Sequence, residues 1–202
     1  MAGWGDCKSC RLAVASLLSL AAAIAWPQPA VAHVQGGEAA GFLSGILHPV
    51  SGLDHVLAMI SVGLWGAQLG APALWLLPVT FPMVMAFGGM LGLMGLALPG
   101  VEIGIAVSAL GLGLAILLEL RPPLWGAALV VGFFAVFHGH AHGTELPEGA
   151  NGLLYSVGFV VSTGCLHGTG IALGLVHRWG SGRVALRFAG AGVALAGAHL
   201  RR

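Results

Sequence analysis

Nine histidines stand in a chain of 202 residues in which Asp, Glu, Lys and Arg together supply only 7%. Imidazole titrates near neutral pH and is the commonest metal ligand, so the spacing of these residues is the first place to look for chemistry. One block is His48-Pro49-Val50-Ser51-Gly52-Leu53-Asp54-His55. If a helix begins near Ser51, Asp54 and His55 fall in its first turn, and Met59 shares the face of His55 four residues on. Pro49 would break the chain ahead of it and fold His48 back toward the same mouth. Two imidazoles and a carboxylate then converge as N/O ligands suited to divalent nickel, cobalt, copper or zinc. The plainer reading of Asp54 is an acid favoured at a helix N-terminus.

A second block is Phe137-His138-Gly139-His140-Ala141-His142-Gly143-Thr144-Glu145. Extended, its three histidines face one side; in a helix His138 and His142 share a face while His140 points away. The interleaved glycines give the backbone freedom to wrap an ion, and such clustering of histidine is a compositional metal signal; the alternative is a solvated polar loop. The third block, Ser162-Thr163-Gly164-Cys165-Leu166-His167, lies inside an apolar run. His167 falls about 12 residues past Tyr155, roughly 18 Å along a helix and near a bilayer midplane. An ionisable residue at that depth is a functional candidate by default, and Thr163 shares its face; its plainer reading is a neutral histidine bonded to a neighbouring helix. Cys165 reads as a small buried packing residue, with a soft metal ligand as the alternative. His177 and His199 read as interfacial residues, and His33 would chelate through its ring and a free α-amine only if it became the N-terminus.

The elements that position these residues follow from composition. Hydrophobic residues make up 57% of the chain, mean hydropathy is +0.94 and glycine numbers 34. Charged residues usually form about a quarter of a globular chain, so this is the composition of helices packed closely in lipid, where small residues let backbones approach. Eight basic against seven acidic residues leave no basic face for nucleic acid. Lys8 and Arg11, the apolar run Leu12 to Ala25, and Ala30-Val31-Ala32 have the order of a secretory signal with its cleavage site. The predicted organisation is a signal over 1–32 and one transmembrane domain over 33–202. Without the signal one cysteine remains, Cys165, so no internal disulfide is expected. An uncleaved first helix is the alternative.

Six apolar stretches follow, at 51–70, 72–97, 101–120, 123–138, 151–176 and 184–200, each near the ~20 residues that cross a bilayer. The expected fold is an all-α membrane protein, a six-helix transmembrane bundle after removal of the signal. With the mature N-terminus outside, counting places Arg121, Arg178, Arg183 and Arg187 at cytoplasmic ends, in keeping with the positive-inside rule. Trp65, Trp75, Trp125 and Trp179 fall at the same ends as an aromatic belt. Glu38, Asp54, Glu102, Glu145 and Glu148 fall outside, a face that would concentrate cations. Gly88 with Gly92, Gly164 with Gly168, and Gly170 with Gly174 are expected at tight helix contacts, and Pro49, Pro78 and Pro82 are expected to kink or interrupt helices.

Together HPVSGLDH, Met59 with Gly63-Leu64-Trp65, the Leu98-Pro99-Gly100-Val101-Glu102 turn, FHGHAHGTE, and LHGTG after Thr163 resemble the HupE/UreJ family of membrane proteins, implicated in supplying nickel to hydrogenase and urease. The resemblance spans nearly all of the mature chain and is specific in this combination. It implies a nickel permease of the bacterial inner membrane with a periplasmic N-terminus. Its metal path would comprise His48, Asp54, His55, His138, His140, His142, Glu145 and His167. Ni2+ would be the cargo, with Co2+ admissible, and no organic cofactor is implied. Beyond the metal and the lipid bilayer, further copies of the chain or hydrogenase and urease maturation proteins are the partners to expect. No phosphate-binding G-x-x-x-x-G-K-[ST] occurs, so a facilitator or secondary carrier is expected. The rivals are an accessory protein that binds metal without moving it, and a membrane metalloenzyme or haem protein, for which H-E-x-x-H and C-x-x-C-H are both missing.

Overall fold

A computed structural model of the chain describes residues 38–145 and 151–200. The expected signal over 1–32, together with His33, Glu148, Arg201 and Arg202, lies outside these residues. Seven α-helices and one 3-10 turn follow in order: α1 Glu38–Ser51, α2 Leu53–Leu69, α3 Ala73–Leu93, α4 Val101–Leu117, α5 Leu124–Thr144, α6 Gly152–Gly174, the 3-10 turn Leu175–Arg178, and α7 Gly180–Leu200. No strand occurs among the described residues.

Local chemistry sets the boundaries. Leu98-Pro99-Gly100 turns the chain into α4 with Gly100 at φ +74°, a left-handed conformation that glycine adopts without steric cost. Pro123 precedes the first residue of α5, a place where a missing backbone donor costs nothing. The Asn151 side chain caps α6, accepting from the N–H groups of Leu153 and Leu154 at 3.1 Å each. One expectation about breaks is corrected. α1 runs through Pro49 to Ser51, and the interruption falls at Gly52, where α1 and α2 meet at 81°. α3 likewise contains Pro78 and Pro82 without ending at either; each removes one backbone hydrogen bond.

At the centre stands α2, with every residue from Ser61 to Gln68 buried. It packs against α3, α4, α6 and α7, while α3 pairs with α5, α4 with α7, and α1 with the first half of α6. Backbones approach closely at these seams. A Cβ on Gly63 would stand 2.2 Å from the His167 carbonyl oxygen, and one on Gly139 would stand 1.9 Å from that of Met85, so no larger residue fits either place. Gly88 and Gly92 meet α5, and Gly170 and Gly174 meet α2, as expected. Gly164 and Gly168 do not: they are exposed, and a Cβ on either would find nothing within 4 Å.

Three helices are long and apolar enough to cross a membrane: α3, α5, and α6 with its 3-10 extension (Gly152–Arg178); the bent pair Gly41–Ser51 and Leu53–Leu69 makes a fourth if taken as one span. α4 is apolar but has only 17 residues, and α7 is long enough but carries Arg183 and Arg187 near its start. The chain is thus an all-helical membrane protein in which length and composition support three or four of the six expected crossings. The aromatic belt needs one correction. Trp75, Trp125 and Trp179 are exposed, whereas Trp65 is 2% exposed and donates its Nε1–H to the Leu120 carbonyl at 3.0 Å.

Candidate metal centre

α5 continues six residues past its expected end at His138, so the whole His138-to-His142 block is helical. Helical spacing then sorts the three imidazoles. His138 and His142 turn inward to face α2. His140 turns toward the α3–α4 connection, where its Nε2–H donates to the Leu96 carbonyl at 2.7 Å. The interleaved glycines serve close packing rather than a wrapped loop, Gly139 against Met85 and Gly143 against Gly89.

The break at Gly52 brings the first block to the same place. His48, near the end of α1, has its ring centroid 4.7 Å from that of His142, and His55, in the first turn of α2, lies 4.4 Å from His142 and 5.1 Å from His138. Glu145, just past α5, sets its Oε2 3.3 Å from His48 Nε2. One ligand atom from each of His48, His142 and Glu145 lies within 4.8 Å of the others, close enough for a small inward movement to make them share an ion. Phe159 and Tyr155 of α6 wall the cluster, Phe159 with its ring centroid 4.4 Å from His142.

Hydrogen bonds fix which nitrogens are free. Asp54 Oδ1 accepts the backbone N–H of His55 at 3.0 Å and lies 2.9 Å from His55 Nδ1; a carboxylate only accepts, so Nδ1 carries the proton and Nε2 keeps its lone pair. Ser108 gives its hydroxyl proton to the Ile105 carbonyl at 2.6 Å, so His138 Nε2, 2.8 Å from the same hydroxyl, must donate and leave Nδ1 bare. His55 Nε2, His138 Nδ1 and both nitrogens of His142 are buried with no hydrogen-bond partner among the described residues. An unpaired buried polar atom costs roughly 1–3 kcal/mol; since one of the two His142 nitrogens must carry a proton in the neutral ring, the three imidazoles offer three lone pairs that a cation would satisfy. Imidazoles oriented from behind by a carboxylate or hydroxyl are the usual arrangement of metal-ligating histidines.

His167 stands apart from this cluster. It is buried in α6 with Nε2 unpartnered, and its ring touches Phe81, which also touches His138. Residue types and spacing gave no sign of Ser108, Phe81 or Phe159, and Tyr155 served only to mark depth along α6. Beside the cluster a cavity of about 440 Å3 opens between α3, α5 and α6, reaching His142 past Met85, Gly89 and Tyr155. At the opposite end of the bundle, Glu119 on the α4–α5 connection is held by two hydrogen bonds from Arg183 Nε, at 2.6 and 2.8 Å, and one from its Nη2. The Arg183 guanidinium holds the Glu119 carboxyl below its ordinary pKa. Glu119 is thus an acid placed among the basic residues, away from the five assigned to the other face.

An all-helical membrane protein with a buried multi-histidine cluster at a helix break is the class that fold and site define. Its sequence matches the family described as HupE / UreJ protein over residues 20–200, and the chain belongs to that family. Protein HupE of Rhizobium leguminosarum bv. viciae is 50% identical over 179 residues, which cover 89% of this chain and 93% of that relative. No solved structure matches the chain.

Proposed function

We propose that the chain is a permease of the bacterial inner membrane that carries Ni2+ inward, with Co2+ as the other cargo its donors admit, for hydrogenase or urease maturation. The observation that carries this reading is the meeting of His48, His55, His138, His142 and Glu145 at the junction of two bent half-helices. Carriers commonly bind their ions where a spanning helix is interrupted within the membrane, and nitrogen and carboxylate donors suit nickel and cobalt. After loss of the signal the N-terminus would be periplasmic, α1 and α2 together would form the first of six crossings, and acidic residues at the outer face would draw in hydrated cations. The ion would sit among His48, His142 and Glu145, with His55 and His138 behind them, and pass on to His167. Asp54 orients His55, and His140 steadies the α3–α4 connection without touching the ion. Conduction needs stations weak enough to release, which favours donors spread along a path over one closed cage.

Cells expressing the chain, supplied with labelled nickel, test this directly. His55→Ala, with equal protein in the membrane, should cut accumulation to the level of cells lacking the chain. Unchanged uptake would sink transport, and nickel bound by purified protein but not accumulated would establish the accessory role instead.

A further inference from the structure

Phe81 of α3 is completely buried, with its ring centroid 5.5 Å from that of His138 and 5.6 Å from that of His167. Among the described residues no other ring contacts both. Each imidazole it touches belongs to a group of buried polar atoms without partners among the described residues. Around His138 these are His138 Nδ1, His142 Nδ1 and Nε2, and His55 Nε2; on α6 they are His167 Nε2 and Thr163 Oγ1. Thr163 precedes His167 by one helical turn on the same face. A side chain that offers neither donor nor acceptor thus touches an imidazole of each group. A hydrophobic constriction of this kind excludes water and raises the barrier to any ion still carrying its hydration shell. The helix beneath the ring is built to yield, because Pro78 and Pro82 leave the carbonyls of Leu74 and Pro78 without their helical donors.

Building on the permease reading, we propose that Phe81 is the specificity-determining divide of the path, holding the cluster at Gly52 and the His167 pocket apart so that only an ion exchanged between imidazoles crosses. Mg2+ sheds water reluctantly and prefers oxygen ligands, so it gains little from imidazole nitrogen, keeps its hydration shell and is stopped at the ring.

Purified protein in liposomes loaded with a metal-sensitive dye decides the matter, with Ni2+ and Mg2+ added separately outside. Phe81→Ala should admit Mg2+, which the unaltered protein excludes, and raise Ni2+ entry roughly tenfold by opening the constriction. Phe81→Trp should lower Ni2+ entry by a similar factor while the nickel affinity in calorimetry stays unchanged. Phe81→Leu, close in volume, gives an intermediate result and keeps the test valid if the alanine protein fails to insert. Entry of Ni2+ at the unaltered rate in these variants, with Mg2+ still excluded, would show that Phe81 only packs the core and overturn its role while leaving the permease reading intact. An unaltered protein that admits no Ni2+ would overturn both.

Discussion

Asp54 faces its own neighbour, with Oδ1 taken up by both the backbone N–H and the ring Nδ1 of His55. Its contribution to metal binding would therefore pass through His55, by fixing the tautomer and raising the basicity of Nε2. Asp54→Ala should weaken nickel binding by roughly 10- to 100-fold, as read by isothermal titration calorimetry. His140 makes the opposite prediction. Its Nε2–H is committed to Leu96, remote from the cluster, so His140→Ala should leave nickel affinity within about twofold and cost about 1 kcal/mol of stability, visible in thermal melting. A large loss of affinity in that variant would return His140 to the ligand set.

At the scale of elements, the cluster depends on α3 and α5 lying against each other. Gly139 sits between His138 and His140 in sequence, and its Cα packs against the Met85 carbonyl. Gly139→Val must push the two helices apart, moving His138 and His142 away from α2. We expect a loss of roughly 1–3 kcal/mol, measured by denaturation in detergent, together with loss of nickel binding. Gly164→Ala and Gly168→Ala place a methyl in open space and exchange glycine for the best helix former, so both should melt at or slightly above the unaltered protein. Glycine pairs with the same spacing in the sequence thus differ in consequence, because Gly88 with Gly92 and Gly170 with Gly174 meet a neighbour and Gly164 with Gly168 do not.

Across the whole molecule, the histidine cluster and the Glu119–Arg183 pair occupy opposite ends of the bundle, and the pair ties the α4–α5 connection to α7. Arg183 lowers the Glu119 carboxyl pKa, so the pair's stabilisation is present above the ordinary carboxylate range and is lost as pH falls through the lowered native value. Melting temperatures of the unaltered protein and Glu119→Gln should therefore differ at neutral pH and converge in acid. The difference should be small and shrink with added salt, since Arg183 is 62% exposed. Nickel affinity should be the same in both proteins.

Because hydropathy and backbone constraints are written locally, apolar runs, their punctuation by Gly and Pro, and the clustering of histidine revealed the helices from α2 onward, the membrane class and the histidine blocks, but not α1 over Glu38–Ser51. They also held both outcomes for the FHGHAHGTE block open, since a run rich in Gly and His reads equally as a loop or as a helix end. Only packing resolved it, through glycine contacts with α3 that reward the helical form. The position of the chain break at Gly52, the burial of Trp65, the departure of His140 from the cluster and the place of Phe81 between two imidazoles all depend on contacts between residues far apart along the chain. A sequence sets out donors along a line. Which of their lone pairs face one another is decided by how the helices approach in space.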